Sequence, residues 1–360
     1  MDRVRGVIGI LGIVLAAGAA QAAAPKEVEL FGQKYNVAVQ SRGGVYKNGV
    51  KITLQNDAGS GTDTTQKASL SFAEGADASA DRLFVVAPIG TDTDGPTGDE
   101  FYMLKGSDAN GLFSTTNSEA TPFFGGNVDH NKGGRGQTVA WLSDTNTGAK
   151  KDRNVALCTF TGNDRVQFYD LDTLGSGFED DSVLSIDLNG DDNMPSGSWD
   201  ALARAPNGFL VDVAGSGTWE MGVMDPTKDA FFAVKTDLSE ATKASGKEIQ
   251  HVDIAHGLAR YGQDEYWILS SVGDPGGDNN DANGEQYLTR LKITFPADLT
   301  QSAPGSIKAE LLGQEEIFSK NLAGSPGGIF GFTIGRETSP GKRTIYMTDW
   351  VGNLITLQPE

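Results

Sequence analysis

An all-β fold is predicted by three features of the sequence: many glycines, short apolar runs separated by turn residues, and no long stretch with helical periodicity. The chain has 360 residues, of which 47 are glycine, and 38% of the residues are hydrophobic. Glycine at this frequency supplies the tight turns that short antiparallel strands need. The length is sufficient for a large domain with a sizeable core. We therefore expect a domain built from strands and turns.

The first 22 residues are predicted to be an export signal. Two arginines in MDRVR precede the apolar run GVIGILGIVLAAGAA, and Ala20-Gln21-Ala22 fits the small-x-small pattern of a cleavage site. We expect residues 1–22 to be removed and residues 23–360 to form a single domain that is secreted or periplasmic. The run is short for a membrane span, and no later segment is apolar over a spanning length. No membrane span is therefore expected after the signal is removed.

The charge of the chain and its one cysteine restrict the partners and the source of stability. A net charge of -19 repels a phosphate backbone, so nucleic acid is not expected as a partner. Cys158 has no second cysteine with which to form a disulfide within the chain, so the core must provide the stability. We expect the protein to be a monomer.

A repeat of strand patterns sets the predicted architecture. Five segments share a strand followed by a second strand, and equivalent positions in the second strand are separated by 65, 65, 57 and 66 residues. These positions are Leu104, Tyr169, Val234, Leu291 and Leu357. Four antiparallel strands repeated at such a period are typical of a β-propeller. We expect about five four-stranded blades, or six if residues 27–66 form a divergent blade.

The last repeat is one strand short, which suggests how the ring closes. The segment EVELFGQKYNVAV, residues 27–39, has no repeat of its own and is predicted to pair beside NLITLQPE at the C-terminus. This pairing would cover an exposed sheet edge.

One blade carries a resemblance to known proteins. RTIYMTDWVGNLITL, residues 343–357, resembles a blade of the secreted β-propellers that include lactonase-like and NHL-type proteins. The resemblance implies the architecture, which hosts hydrolases, lectins and scaffolds alike, and it does not identify an activity.

Long acidic loops are predicted to share one face of the ring. In a propeller, the loops that join strands 2 and 3 and the loops that join blades emerge on the same face, and residues 91–100, 116–136, 189–200, 214–229 and 273–285 are such loops. Calcium binds six to eight oxygens from tightly turning chain. We predict at least one calcium site, with ligands from Asp92, Asp94, Asp191, Asp192, Asp278 and Asp281.

Two histidines and two aspartates are the candidate catalytic residues. Aligning ALAR (201–204) with GLAR (257–260) places Asp200 level with His256, and His130 and Asp129 also precede a predicted innermost strand. The four residues are predicted to converge at the mouth of the central channel, where a histidine beside carboxylates can act as a general base or a metal ligand. The alternative is that they cap the ends of strands.

Aromatic residues on the same face are the candidate ligand-binding residues. Phe123, Phe124, Trp199 and Trp219 lie in or beside the predicted loops, together with Glu220. Flat aromatic surfaces beside acids suit sugar rings or protein partners, although they can also pack over the top of the ring.

The sequence thus predicts an exported binding protein whose acidic, calcium-supported loop face engages an extracellular small molecule, glycan or protein. The alternative is a calcium-dependent hydrolase that acts on a lactone, phosphoester or glycan at the channel mouth.

Overall fold

The protein was analysed as a computed structural model, and its described residues form an all-β structure of antiparallel sheets. They contain no α-helix, and the one helical turn is a 3-10 turn at Ala78–Ala80. None of them belongs to a helix long and apolar enough to cross a membrane. The described residues are 27–40, 45–47, 50–52, 69–87, 100–109, 111–113, 121–124, 137–142, 155–160, 165–170, 182–187, 198–205, 208–215, 218–225, 230–237, 254–272, 285–297, 307–317, 329–349 and 354–360.

The strands form five larger sheets and one small hairpin. At the N-terminal end are β1 (Glu27–Leu30), β2 (Gln33–Gln40) and a separate two-stranded sheet of β3 (Val45–Lys47) and β4 (Val50–Ile52). Sheet I contains β5 (Ser69–Ala73), β6 (Arg82–Ala87), β7 (Glu100–Lys105) and β8 (Thr121–Phe124). Sheet II contains β9 (Gln137–Leu142), β10 (Val155–Phe160), β11 (Arg165–Asp170) and β12 (Ser182–Asp187). Sheet III contains β13 (Ser198–Ala205), β14 (Gly208–Gly215), β15 (Thr218–Asp225) and β16 (Ala230–Asp237). Sheet IV contains β17 (Ile254–Arg260), β18 (Glu265–Val272), β19 (Glu285–Thr294) and β20 (Lys308–Glu316). Sheet V contains β21 (Ile329–Ser339), β22 (Lys342–Asp349) and β23 (Leu354–Pro359), followed by β2 and then β1.

Sheet V joins the two ends of the chain. β2 pairs antiparallel with β23, from Tyr35 opposite Pro359 to Gln40 opposite Leu354. The predicted pairing of residues 27–39 with the C-terminal strand is therefore confirmed. The segment is a hairpin and not one strand, so β1 forms a fifth strand beyond β2.

The turn of this hairpin is anchored on sheet IV. Phe31 and Gly32 have positive φ values of 50° and 76°, which a two-residue turn between twisted strands requires and which a bulky residue rarely adopts. The backbone N–H of Phe31 donates to Oε1 of Glu315 at 2.7 Å. The Phe31 ring also meets Trp267 edge-on, with centroids 5.1 Å apart. These contacts hold the N-terminal hairpin across the boundary between sheets IV and V.

The sheets pack face to face, which explains the apolar runs in the central strands. In β18, Tyr266 and Ile268 belong to the core between sheets III and IV, whereas Trp267 and Leu269 belong to the core between sheets IV and V. Successive side chains point to opposite faces of a strand, so a strand buried on both faces is apolar throughout. The outermost strand β20 instead alternates exposed and buried residues from Lys308 to Leu312.

The first strands of the five sheets contact one another in series. β5 contacts β9, β9 contacts β13, β13 contacts β17, β17 contacts β21, and β21 contacts β5. The series of contacts thus returns to its starting strand.

Two segments predicted as loops contain strands. Residues 218–225, within the predicted loop 214–229, form β15, so β16 is the fourth strand of sheet III and not the third. Residues 121–124 form β8, the fourth strand of sheet I. The loop interpretation of both segments was wrong because glycine-rich or proline-containing turns beside them outweighed their short apolar patterns.

Candidate functional site

One end of the sheets carries every predicted site residue that the structure describes. We call it the loop end: there the first strand of a sheet begins, its second strand ends and its third strand begins. The loop ends of sheets IV and V lie side by side, because the side chain of Gln286 bonds to the backbone of Ile329. Gln286 Nε2 donates to the carbonyl oxygen at 2.6 Å, and the backbone N–H donates to Gln286 Oε1 at 2.7 Å. Both residues are buried, so this amide fixes the position of sheet IV relative to sheet V along the direction of the strands.

Three of the first strands carry a β-bulge at the same place beside the loop end. The pairing of each strand with the second strand of its sheet shifts by one residue there. The extra residue is Asp200 in β13, His256 in β17 and Phe330 in β21. A bulge takes its extra residue out of the regular ladder, and bulges are frequent beside active sites. Asp200 and His256 thus hold equivalent positions, as the alignment of ALAR with GLAR predicts.

β17 and β21 approach each other closely just past their bulges. A Cβ atom added to Gly257 would lie 2.7 Å from the carbonyl oxygen and 2.9 Å from the Cβ of Phe332. Both distances are below the normal contact range, so this position suits glycine alone unless a strand shifts. The close approach brings the bulged segment of β17 alongside that of β21.

A buried hydroxyl lies next to the bulge of β17. Ser270 on β18 pairs with Ala255, the residue before His256. Its side chain is fully buried, and Ser270 Oγ has no hydrogen-bond partner within the described ranges. The neighbouring Leu269 points into the core between sheets IV and V, so Ser270 faces the other way, toward sheet III. A buried hydroxyl without a partner is costly, because it gives up its hydrogen bonds to water.

The candidate ligand-binding residues lie in strands at the loop end. Trp199 and Glu220 share one row of sheet III, since both pair with the same residue of β14. Trp219 is the adjacent residue of β15. Phe123 and Phe124 end β8, opposite the start of β7. These residues are therefore held by strand backbone and not by loops, which corrects their predicted setting.

Other candidate residues lie outside the described residues. Asp129 and His130 belong to this group, so their convergence with Asp200 and His256 stays a prediction. The same holds for the predicted calcium ligands Asp92, Asp94, Asp191, Asp192, Asp278 and Asp281. Within the ranges that the structure describes, no three histidine, cysteine, aspartate or glutamate side chains form a group able to hold a metal ion.

No known protein family matches the chain. No curated protein is significantly similar to it either. The geometry of the loop end is therefore the basis on which a function can be proposed.

The residues at the bulges provide defined chemistry. An imidazole exchanges protons near neutral pH, and a carboxylate at an equivalent position of the adjoining strand can orient it or balance its charge. A contact between the side chains of Asp200 and His256 stays a prediction. Phe330 adds an aromatic residue that was not predicted from the sequence as part of the site. The signal was present, because Gly331 follows Phe330 as Gly257 follows His256.

Charged side chains away from the loop end have structural partners. Arg336 at the far end of β21 forms a two-point ion pair with Asp81 of sheet I, with Nη2–Oδ1 at 2.5 Å and Nε–Oδ2 at 2.9 Å. Hydrogen bonds from Ser79 lower the pKa of Asp77 in the same connection. Arg290 bonds to Glu265 at 2.7 Å within sheet IV, and its guanidinium lies 5.0 Å from the centre of the Phe31 ring in the turn between β1 and β2. The Arg336–Asp81 pair and the Arg290–Phe31 contact therefore join neighbouring sheets.

Proposed function

We propose that the five sheets are the blades of a five-bladed β-propeller in which sheet V closes the ring. Two observations support this architecture: the first strands contact one another in a series that returns to β5, and β2 completes the sheet of the C-terminal strands. We further propose that residues 1–22 are a signal peptide, so the propeller works in the periplasm or outside the cell.

The proposed function is binding of an extracellular ligand at the loop end. The observation that carries it is the set of three equivalent bulges at Asp200, His256 and Phe330. In each of these three sheets, the first strand departs from regular pairing near its beginning, beside the loop end. Bulges are frequent at the rims of barrels and beside active sites, where they redirect a side chain. Long loops on the same end would add contacts around that ligand.

A calcium ion is proposed to support this face. Residues 88–99 connect β6 to β7 and residues 273–284 connect β18 to β19, so both acidic loops leave the loop end of their sheets. An ion that binds only the folded chain raises the free energy of unfolding by about 2.7 kcal/mol at a hundredfold excess over its dissociation constant. The melting temperature of the mature chain should therefore rise with millimolar calcium and fall with chelator. An unchanged melting temperature contradicts the calcium site.

Ligand binding can be tested on the mature chain with an array of glycans and a panel of extracellular small molecules and proteins. We expect binding that His256→Ala weakens at least tenfold. The matched control is Leu312→Ser, because Leu312 is an exposed residue, 37% accessible, on the outermost strand of sheet IV. Binding that both variants retain would place the ligand away from the bulges.

A hydrolase is the second candidate, and the equivalent positions of Asp200 and His256 favour it. If the bulges form an active site, His256 acts as general base with Asp200 orienting the imidazole. His256→Ala should then lower the turnover of a lactone, phosphoester or glycoside about a hundredfold or more, at unchanged folding stability. If turnover survives this change, the hydrolase function is contradicted. The same holds if no turnover is found with any of the three substrate classes, and binding is then the remaining function.

A further inference from the structure

We infer that residues 23–26 bind along the outer edge of β2 as a continuation of β1, so that the mature amino terminus completes sheet V. This inference rests on the proposed removal of the signal peptide and does not depend on the proposed ligand. β2 has eight residues, whereas β1 has four. The described pairing of β1 with β2 ends at Asn36, opposite Glu27. Among the described strands, none pairs with residues 37–40 on this side of β2.

The backbone groups of this uncovered half of β2 point to the outer edge. In an antiparallel sheet, successive residues of a strand bond alternately to the neighbour on one side and on the other. The backbone N–H of Glu360 donates to the carbonyl oxygen of Lys34 at 3.1 Å, so the even-numbered residues of β2 bond toward β23. The N–H and C=O groups of Val37 and Val39 therefore point away from β23, beyond the end of β1. An edge of this kind is a template for a further strand.

The side chains of the same residues add an apolar surface to the edge. Val37 and Val39 are half-buried and pack against the core between sheets IV and V. A strand laid beside them would remove more of this apolar surface from water. The edge thus offers both backbone hydrogen bonds and apolar contact.

The sequence before β1 suits this edge in one register. Continuing the described register of β1 and β2 gives four further pairs: Lys26 with Val37, Pro25 with Ala38, Ala24 with Val39, and Ala23 with Gln40. Proline has no backbone N–H and is tolerated at a sheet edge where that group is not needed. Ala38 bonds toward β23, so a proline opposite it costs no bond to β2. A shift of one residue would place the proline opposite Val37 or Val39, where its N–H is needed.

The length of the segment matches the length of the uncovered edge. Residues 23–26 lie outside the described residues, and they are the four that remain before β1 after cleavage behind Ala22. Four residues of β2 likewise extend beyond β1. The amino group of Ala23 would then lie beside Gln40, which is at the loop end because it pairs with Leu354 at the start of β23. The signal peptide would leave the domain there, so its removal would clear the end at which we propose ligand binding.

Hydrogen exchange of backbone amides tests this pairing in the chain 23–360, labelled with ¹⁵N-valine and ¹⁵N-alanine. The signals of Val37, Val39 and Ala38 are assigned from their loss in Val37→Ile, Val39→Ile and Ala38→Ser. In a chain that starts at Glu27, the Val37 and Val39 amides should exchange about tenfold faster or more, because they lose their acceptors. The Ala38 amide bonds to β23 in both chains and should not change.

A second pair of variants keeps the full mature chain. Ala24→Pro/Pro25→Ala has the same composition but moves the proline opposite Val39, so the Val39 amide should again exchange about tenfold faster or more. Pro25→Ala alone should leave Val37 and Val39 protected. Should the chain that starts at Glu27 fail to fold, as judged by circular dichroism, these two variants decide.

Each other outcome overturns the inference. Equal exchange of Val37 and Val39 in all these proteins shows that residues 23–26 do not pair with β2. Protection that disappears on dilution, together with a dimer in light scattering, assigns the edge to a second copy of the chain. Mass spectrometry of the exported protein checks the cleavage site, and a mature chain that begins after Glu27 refutes the pairing. None of these results bears on the glycan-array and small-molecule test of ligand binding, so the two proposals can fail separately.

Discussion

Replacing Asp81 with alanine is expected to lower the free energy of unfolding by about 3 kcal/mol. The Asp81 carboxylate is fully buried and accepts four hydrogen bonds: from Arg336 at 2.5 and 2.9 Å, from Ser107 Oγ at 2.8 Å, and from the backbone N–H of Gly75 at 2.9 Å. Breaking a buried ion pair by removing one partner costs about 3–5 kcal/mol. The Arg336 side chain keeps 21% of its exposure, so it regains some hydration and the lower end of the range applies.

Equilibrium urea unfolding measures this loss through tryptophan fluorescence, and the midpoint should fall at an unchanged slope. The control is Glu74→Gln. Glu74 lies 3.3 Å from Arg336 and 3.6 Å from Arg343 in the same ion-pair group, but its side chain is 44% exposed. A solvent-exposed pair contributes at most about 1 kcal/mol. The double variant Asp81→Ala/Arg336→Ala should lose less than the sum of the two single variants. Equal losses for Asp81→Ala and Glu74→Gln would refute the reasoning.

Three further outcomes are expected. Deleting residues 27–40 leaves β23 as an open edge, so light scattering should detect self-association, and a monomeric product would contradict this. Gly257→Ala should cost about 1–3 kcal/mol through its contact with Phe332, whereas Gly262→Ala, with its nearest contact at 3.8 Å, should change stability by less than about 0.5 kcal/mol; equal midpoints in urea would count against the close approach. Burial raises the pKa of Tyr266 from 10.0 to about 12, so the unfolded chain loses this proton first and the free energy of unfolding should fall as pH rises from 10 to 12. Tyr266→Phe should lose less stability over that interval, and identical pH profiles for the two proteins would disprove this cause.

The sequence predicted the strands whose residues contact both neighbouring cores. The segment YWIL at the centre of EYWILSS has four apolar residues in succession because β18 is buried on both faces, and such a run has few alternatives to a central strand. β15 was harder to predict, because Gly215-Ser216-Gly217 suggests a loop and the following TWEMGVMD mixes small, polar and apolar residues. Its place is fixed by pairing with β14 and β16, which is tertiary information.

The candidate site was predictable in part for a similar reason. Asp200 and His256 directly precede the similar four-residue segments ALAR and GLAR, so aligning these segments is enough to relate the two residues. Phe330 precedes GFTI, where only the glycine is shared, and its bulge follows from pairing with β22. The Arg336–Asp81 pair joins residues 255 positions apart, and no local pattern specifies which of many acids an arginine will meet. Sequence periodicity reports burial, whereas partner choice depends on the assembled sheets.

The pairing of β2 with β23 also sets an order of events during synthesis. Tyr35 is synthesised 324 residues before its partner Pro359 (359 - 35 = 324). Sheet V therefore keeps an incomplete edge until β23 has been synthesised, while sheets I to IV consist of strands that follow one another and can pair as they appear. Closing a long loop costs little more than closing a short one, since each doubling of length adds about 0.6 kcal/mol, but contacts between distant residues form slowly. A nascent chain arrested before residue 354 should accordingly expose β2, which makes this strand the natural target for a chaperone that recognises extended segments.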